Sequence, residues 1–575
     1  MEFARVAEVF SKLEGQSSRL DISRDLGALF EEAPRGEVRA IVYLLQGIVK
    51  PAFEDVELGL AEALCVNALA TVSGQSQKKV KASYRKTGDL GATAEALLAK
   101  REQHSLASSN LTVAKVHDNL LHIATASGTG SQTTKTRLLG ELFSNGSPEE
   151  AKMVTRFVTG RLRLGVGEAT IIDALSFAKA GNKSLRGELE RAFNLSSDLG
   201  LVAETLYSKG MEAVRAVKAE PFHPIRPALA ERLPDAAGII KKMGECFAEG
   251  KYDGLRLQIH KSGSRVEIYS RRQEKTTAMF PDVVKAVREQ VRAQEAIFEG
   301  EAISFDEATG TFKAFQETAK RKRKHGIKAK SEEIPLKVFA FDLLYADGRD
   351  YTPVAFKERR NALAGLVRGD GMIRLSQGKL VKDAAALEEF FGECVDAGLE
   401  GVMVKDFAAP YAAGARKFAW IKLKKSYSEG LADTLDVVVV GYYYGKGKRT
   451  EFGLGGLLTA VRAGRGYRTI AKIGTGFSEA QLAELSERLE KIKLPKKPDE
   501  VDSLIEPHAW VKPEIVVEVK ADELSQSEVH TAAKSAGRGL ALRFPRLVRV
   551  RYDKTPAEAT TEEEALALYE KQKVR

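Results

Sequence analysis

Phe3, Val6, Phe10 and Leu13 recur every three or four residues, the spacing of a helix with one apolar face. The same period, with alanine-rich runs such as Ala92 to Leu98, predicts helices up to about residue 215. Glycine-containing breaks separate them, among them Gly88-Asp89-Leu90-Gly91, Ser127-Gly128-Thr129-Gly130-Ser131 and Leu162-Arg163-Leu164-Gly165-Val166-Gly167-Glu168. Pro221, Pro224 and Pro227 interrupt the helical pattern and mark a boundary. Beyond them short strands mix with helices. Val266 to Arg272 alternates as a strand, Ala296 to Ile303 is a short apolar run broken by acids, and Leu336 to Leu344 is another strand. Leu399 to Lys405 and Trp420 to Lys425 are two more, with charges at alternate positions. Period two puts Glu400, Val402 and Val404 on one face, and Lys422 and Lys424 likewise on one face. From about residue 428 the β-forming run Val437 to Tyr444, glycine-rich turns at Gly453 to Gly456 and a helix near Glu479 to Lys493 suit a small Greek-key barrel. An acidic, then helical, tail runs from Thr561 to about Gln572.

Composition narrows the partners. A chain of 575 residues holds about three or four domains. Its 89 Lys and Arg against 79 Asp and Glu leave a net charge of +10, which favours a polyanionic partner, nucleic acid first; a large soluble protein can also simply be basic. Cys65, Cys246 and Cys394 are too few and too far apart for a disulfide framework or a four-cysteine zinc site, and they fit a reducing compartment. The start, Met1-Glu2-Phe3-Ala4-Arg5, is no secretory signal, and no long uncharged apolar run suits a membrane span. A soluble, intracellular protein is expected. A glycine-rich turn that opens a helix presents unpaired N–H groups to phosphate. Lys135, Arg137, Arg156, Arg161 and Arg163 lie close to such turns. Each alone can be a solvated helix face; together they suggest a helical module that holds a nucleic-acid backbone without reading bases. The basic run from Lys320 to His325, with Arg321 and Arg323, reads as a solvated loop, a localisation-like patch or another backbone contact. Beside Phe315 the last reading is preferred.

The middle of the chain carries Glu249-Gly250-Lys251-Tyr252-Asp253-Gly254-Leu255-Arg256. Gly250 and Gly254 bracket Lys251 with little bulk, so a nucleotide could approach the backbone closely. Alone, a lysine before a turn is more often a solvated surface lysine. The other charged strands change this: a carboxylate at Glu400 and lysines at 422 and 424 facing one cavity are costly unless phosphate or metal neutralises them. In order along the chain stand Lys251-Tyr252-Asp253-Gly254 with Arg256; Ser270-Arg271-Arg272; Phe298-Glu299-Gly300-Glu301; Phe339-Ala340-Phe341-Asp342; Glu400 to Lys405; Trp420 to Lys424; and a closing Arg543-Phe544-Pro545-Arg546-Leu547-Val548-Arg549-Val550-Arg551. Together these resemble the ATP-dependent DNA ligases, most closely those of archaeal and eukaryotic type, over nearly the whole chain.

The resemblance implies a multidomain chain: an all-α DNA-binding domain at 1–215, an α+β adenylation (nucleotidyltransferase) domain at 216–427, and a β-barrel OB-fold domain with a C-terminal helix at 428–575. It implies nick sealing with ATP and Mg²⁺, through a lysine–AMP intermediate on Lys251 and an adenylated 5′-phosphate, in replication, repair and recombination. Glu249 would accept a hydrogen bond from the adenine amino group and Phe341 would stack on the base. Arg256 and Glu301 would meet the ribose, with Arg271 and Arg416 near phosphate or sugar. Glu400 and Glu301 would help hold Mg²⁺, and Lys422 and Lys424 would neutralise the α-phosphate. Arg543 and Arg546 would orient the departing pyrophosphate. The implied partner is nicked duplex DNA, with no membrane, for a monomer in the cytoplasm, nucleoid-associated in a prokaryote. Two positions depart from the pattern: Arg272 stands where many relatives have Asn, and Glu299 where Asp is common. A sliding-clamp peptide is only weakly matched by Gln77 to Tyr84. An RNA ligase or capping-type nucleotidyltransferase shares the lysine chemistry, but the helical first part argues against it. A DNA-binding scaffold with a dead nucleotide site is opposed by the intact Lys251, Glu400 and Lys422. NAD-dependent ligases need a four-cysteine zinc module that three cysteines cannot build.

Overall fold

The computed structural model describes residues 1–575 except 59, 61, 101–109, 161, 307–310, 314, 324–325, 370, 425–433, 446–448, 450–451, 536 and 575. They form two compact units, Met1–Lys422 and Leu423–Arg575. The expected junction at 427/428 falls outside the described residues.

The first unit starts helical, from Phe3–Glu14 through to Leu199–Arg215, where the apolar period stops. Phe3, Val6, Phe10 and Leu13 are all buried, so the predicted face is the packed one. Helix starts are fixed locally. Ser147 and Glu150 form a reciprocal capping box on Pro148–Val158, with proline in its first turn. Asp89 caps Leu90–Leu98 by accepting from the Gly91 N–H at 2.8 Å. The turn before Ser131–Asn145 uses Gly128 and Gly130 at φ +79° and +83°, a conformation glycine takes at little cost.

After the proline-marked segment the unit becomes two sheets. One has five strands in the order Leu229–Arg232, Arg416–Lys424, Gly401–Lys405, Cys246–Gly250, Gly378–Val381. The other has Arg265–Ser270, Leu255–Ser262, Glu295–Asp306, Leu336–Ala346 and Arg349–Asp350 in order, with Thr311–Phe312 and Ile373–Leu375 paired off its middle strands. The connecting segment is sewn to the second sheet by side chains. Gln258 accepts from the Ile225 N–H at 2.7 Å and donates to the Ile225 carbonyl at 2.9 Å. His260 accepts from the Phe222 N–H at 2.9 Å.

The second unit is a β domain. Leu435–Tyr443 pairs with Gly456–Ala463, which pairs with Gly466–Ile473, and a smaller sheet joins Glu523–Ser527, Arg538–Arg543 and Ala532–Ser535. The described pairings run along an open order, not a closed ring. The helix Glu479–Lys491 buries Leu482, Leu485 and Leu489, and a last helix spans Glu562–Val574. Among the described residues no helix is long and apolar enough to cross a membrane. All three cysteines are buried and unpaired with one another.

Candidate active site

Lys251 stands where the strand Cys246–Gly250 leaves the five-stranded sheet for Leu255–Ser262 of the other. Its N–H donates to the Gly401 carbonyl at 2.8 Å, and the Glu400 N–H donates to the Lys251 carbonyl at 3.1 Å. These two bonds set the side chains together: Nζ lies 2.5 Å from Glu400 Oε2, with the side chains 19% and 27% exposed. Gly401 has φ +142°, a conformation that favours glycine, and Glu400 precedes the strand that begins there. The two-residue alternation expected through Glu400 therefore stops at Gly401.

The bracketing glycines have a packing reason beside the expected one. A Cβ on Gly254 would lie 2.3 Å from the Ala302 carbonyl oxygen, and one on Gly250 would lie 2.6 Å from a Leu399 methyl. The chain's own packing requires Gly254, because the neighbour is backbone, while at Gly250 a leucine side chain would have to move. Tyr252 is buried and stacks on Phe339 with centroids 4.2 Å apart, anchoring the turn from below.

The other motif residues have these settings. Glu301 faces Lys251: burial pushes its carboxyl up to about 7, opposed by Lys251 and Arg256. Arg256 is held by Glu299 through two contacts of 2.8 and 3.2 Å and donates to the Ala228 carbonyl at 2.8 Å. Tyr411 donates to Glu299 at 2.7 Å and accepts from the Ala228 N–H at 2.9 Å. Glu249 is buried. One oxygen lies 2.5 Å from Lys405 Nζ and the other accepts from the Ser376 hydroxyl at 2.7 Å. Phe341 is 9% exposed, edge-on to Trp420 with centroids 5.9 Å apart. Arg271 is exposed just after Arg265–Ser270, and Arg416 is exposed at the start of Arg416–Lys424; Lys422 and Lys424 are half-buried at that strand's end. In the second unit Arg543 and Arg546 flank Phe544, 3.6 Å from Glu523 and 2.6 Å from Asp522, with side chains 34% and 39% exposed.

Two of the expected DNA-contact arginines point inward. Arg156 is buried, with NH2 2.6 Å from Asp89 and NH1 on Glu14; a Cβ on Gly91 would lie 2.6 Å from its Cγ. The Gly88-Asp89-Leu90-Gly91 stretch is thus a seat for an arginine that ties helices together. Arg321 is fully buried, paired with Asp282 at 2.7 Å and donating to the Ile334 carbonyl at 2.8 Å. A basic run hid a core residue. Arg137 and Arg323 are exposed and Lys135 half-buried. Arg163, at φ +58°, keeps an exposed side chain 3.6 Å from Asp89. Arg161 lies outside the described residues.

Sequence reasoning missed four residues that build the site: Tyr411, Ser376, Glu299 in its pairing role, and Lys405. A lysine inside Val402-Met403-Val404 was the available signal for Lys405, because an unpaired charge does not belong in such a strand. Nothing in the spacing pointed to Tyr411 or Ser376.

Three family models cover most of the chain: the DNA ligase N terminus at residues 2–176, the ATP dependent DNA ligase domain at 227–424, and the ATP dependent DNA ligase C terminal region at 450–554. A probable DNA ligase of Dictyoglomus turgidum is 43% identical over 577 residues, spanning 100% of this chain and 98% of the relative. The chain belongs to the ATP-dependent DNA ligases. A DNA ligase of Cenarchaeum symbiosum is 41% identical over the same shares of each chain. The solved structure Pmar-Lig_PreS3, at 18% identity and TM-score 0.54, covers 95% of this ligase and 99% of its own chain, and shares its fold. The ligase is an enzyme that seals DNA using ATP, with a helical N-terminal region, a central adenylation region and a C-terminal β domain. The alternatives of an RNA ligase, a capping-type enzyme and a dead scaffold fall away.

Proposed function

We propose that Lys251 carries AMP between ATP and the 5′-phosphate of a nick. The observation that carries this is the pairing of its Nζ with Glu400 at 2.5 Å, on a backbone pinned by two hydrogen bonds. An ammonium is no nucleophile, and Glu400 is within reach to accept its proton. The freed amine then attacks the α-phosphorus: the N–P bond forms, the bond to the β-phosphate oxygen breaks, and pyrophosphate leaves. Lys422 and Lys424 meet the negative charge that gathers on the α-phosphoryl oxygens. Arg543 and Arg546 meet the departing pyrophosphate, and their half-exposed carboxylate pairs can be exchanged for it. An oxygen of the 5′-phosphate next attacks the same phosphorus and Lys251 leaves as the amine. Last, the 3′-hydroxyl attacks the activated 5′-phosphate, closes the strand and releases AMP.

Glu249 reads the base edge, Phe341 stacks on the base, and Arg256 with Glu301 meets the ribose, while Arg271 and Arg416 serve the phosphate or sugar. Glu301 and Glu400 would hold Mg²⁺. The donor set fits, because Mg²⁺ takes one or two carboxylates, substrate phosphates and several waters, and a cation would favour the ionised form of Glu301, whose carboxyl burial raises to about 7. The ion supplies Lewis-acid polarisation of a phosphoryl oxygen when bound. The domain reading is 1–215 for DNA binding, with Lys135, Arg137 and Arg163 toward the backbone, 216–427 for adenylation, with Arg323 also toward the backbone, and 428–575 as an OB-type barrel. The work lies in nick sealing during replication, repair and recombination.

Incubation with α-labelled ATP tests this reading. Wild-type protein should take up acid-labile label and lose it to nicked duplex; Lys251→Ala should take up none while still binding DNA. Label on Lys251→Ala protein ends the assignment.

A further inference from the structure

Lys405 is a lysine with no exposed surface. It stands two residues beyond Met403, which pairs across the sheet with Glu249, so the pleat puts Lys405 and Glu249 on one face. Its ammonium lies 2.5 Å from Glu249 Oε1 and donates to the Phe341 carbonyl at 2.9 Å. The rings of Phe341, Phe356 and Trp420 lie around it at 4.8, 4.6 and 4.4 Å. One buried cation therefore touches both groups read above as the base pocket: the carboxylate at the base edge and the ring on its face.

The second oxygen of Glu249 is defined as closely. Ser376 donates its single hydroxyl proton to Glu249 at 2.7 Å, and Arg360 donates to the Ser376 oxygen at 2.8 Å. The arginine occupies the acceptor side of the hydroxyl, so its proton can only point at the carboxylate. Glu249 thus faces donors on both oxygens. A carboxylate offers about four lone-pair sites. Lys405 and Ser376 take two, and those left can only accept.

We infer that Lys405 is the positioning and specificity-determining residue of the base pocket: it fixes Glu249 and Phe341 in one arrangement and, with Ser376, makes Glu249 an obligate acceptor that takes a 6-amino purine and rejects a 6-oxo purine. The inference rests on the reading that Glu249 meets the base edge. A free carboxyl could take up a proton and donate to a 6-oxo group. A carboxylate whose two oxygens already accept from Lys405 and Ser376 has only acceptor sites left to offer the base.

The test is self-adenylation of the full-length enzyme in single turnovers. The nucleotides are ATP, the triphosphate of purine riboside, which lacks the 6-amino group, and GTP. Lys405→Met keeps the length of the side chain and removes the charge; Lys405→Arg keeps the charge. Lys405→Met should raise the KM for ATP about tenfold or more while moving that for purine riboside triphosphate by about twofold or less, the size of one lost charge-assisted contact. The rate at saturation should change little, the preference for ATP over GTP should shrink, and Lys405→Arg should restore much of both. Ser376→Ala, a far milder change, should shift the same ratio in the same direction by about threefold. Equal losses with both nucleotides in Lys405→Met overturn the proposal, because a lysine that only supports the fold cannot tell them apart. If Lys405→Met does not fold, an unchanged ratio in Ser376→Ala overturns it. Glu249→Gln separates the two readings: an unchanged ATP ratio there means Glu249 is not the base reader, whatever Lys405 does.

Discussion

Arg156 and Lys251 invite comparison. Each is a cation on a glycine-flanked motif, and each lies against a carboxylate. Arg156 is closed off: its side chain is 7% exposed, Asp89 is 9% exposed, and Glu14 takes another of its nitrogens. Lys251 and Glu400 remain 19% and 27% exposed and meet at the seam of two sheets. A buried pair bonded from every guanidinium nitrogen holds elements together, since breaking it strands a charge away from water. A half-open pair can exchange its partner for a substrate. The difference lies in burial, and the sequence motif alone does not reveal it.

The largest expected effect sharpens the open side. Lys251→Arg keeps a cation beside Glu400, yet a guanidinium holds its protons at any working pH. Label transfer from ATP should fall below detection while the thermal midpoint stays within about 2 °C of wild type, as for surface substitutions in general. Measurable adenylation would mean that the nucleophile lies elsewhere. The closed side should answer in the opposite currency. Arg156→Met removes the main partner of Asp89 and Glu14, leaving them Arg163 and Lys152 at 3.6 Å, and should cost about 3 kcal/mol, read from urea unfolding of the helical region. Its effect on sealing a nick, in protein that remains folded, should be small. A stable Arg156→Met that has lost DNA binding would restore the arginine to the DNA face and break the comparison.

The same distinction explains how much was legible beforehand. The helix ending at Arg215 and the strands around Lys251 follow from apolar period, and motif order alone placed the chain in its family. The inward turn of Arg156 and Arg321 was hidden because a basic residue near a turn looks alike whether it meets water or Asp89 and Asp282. The reason for Gly254 was hidden because its neighbour, the Ala302 carbonyl, is forty-eight residues away in sequence and arrives only with sheet pairing. Tyr411 and Ser376 act on Arg256's partner and on Glu249 across more than a hundred residues, through contacts that no local spacing encodes.

Arg543 and Arg546 belong with the open class, and that can be measured. Their carboxylate contacts leave the side chains about one-third exposed, and such pairs are worth little. If they serve pyrophosphate, each change to Ala should slow self-adenylation about a hundredfold, the scale of one charge-assisted transition-state contact. Sealing of a pre-adenylated nick, supplied without ATP, should stay near the wild-type rate, because no pyrophosphate is then held. Equal losses in both assays would move these arginines to DNA binding or to support of the β domain.

The smallest effect tests the closed class with a neutral group. His260 is fully buried; its Nδ1 accepts from the Phe222 N–H at 2.9 Å and Nε2 lies 3.0 Å from Gln258 Oε1, so the ring carries its proton on Nε2. Burial pushes its pKa down to about 3, with His223 adding to the shift and Glu267 opposing it. The unfolded chain takes up a proton near pH 6.5, and the folded chain does not until about pH 3. Between those values the unfolded state binds more protons, so this contribution to stability is whole above pH 6.5 and is lost as pH falls through the window. The slope should approach about 1 kcal/mol per pH unit below pH 6. His260→Gln preserves one acceptor and one donor without titrating. It should flatten that part of the dependence of the urea midpoint on pH while leaving self-adenylation at pH 7.5 close to wild type. An unaltered slope in His260→Gln would mean that water reaches the ring in solution, and the stitching of Phe222 to this strand would be looser than the closed class requires.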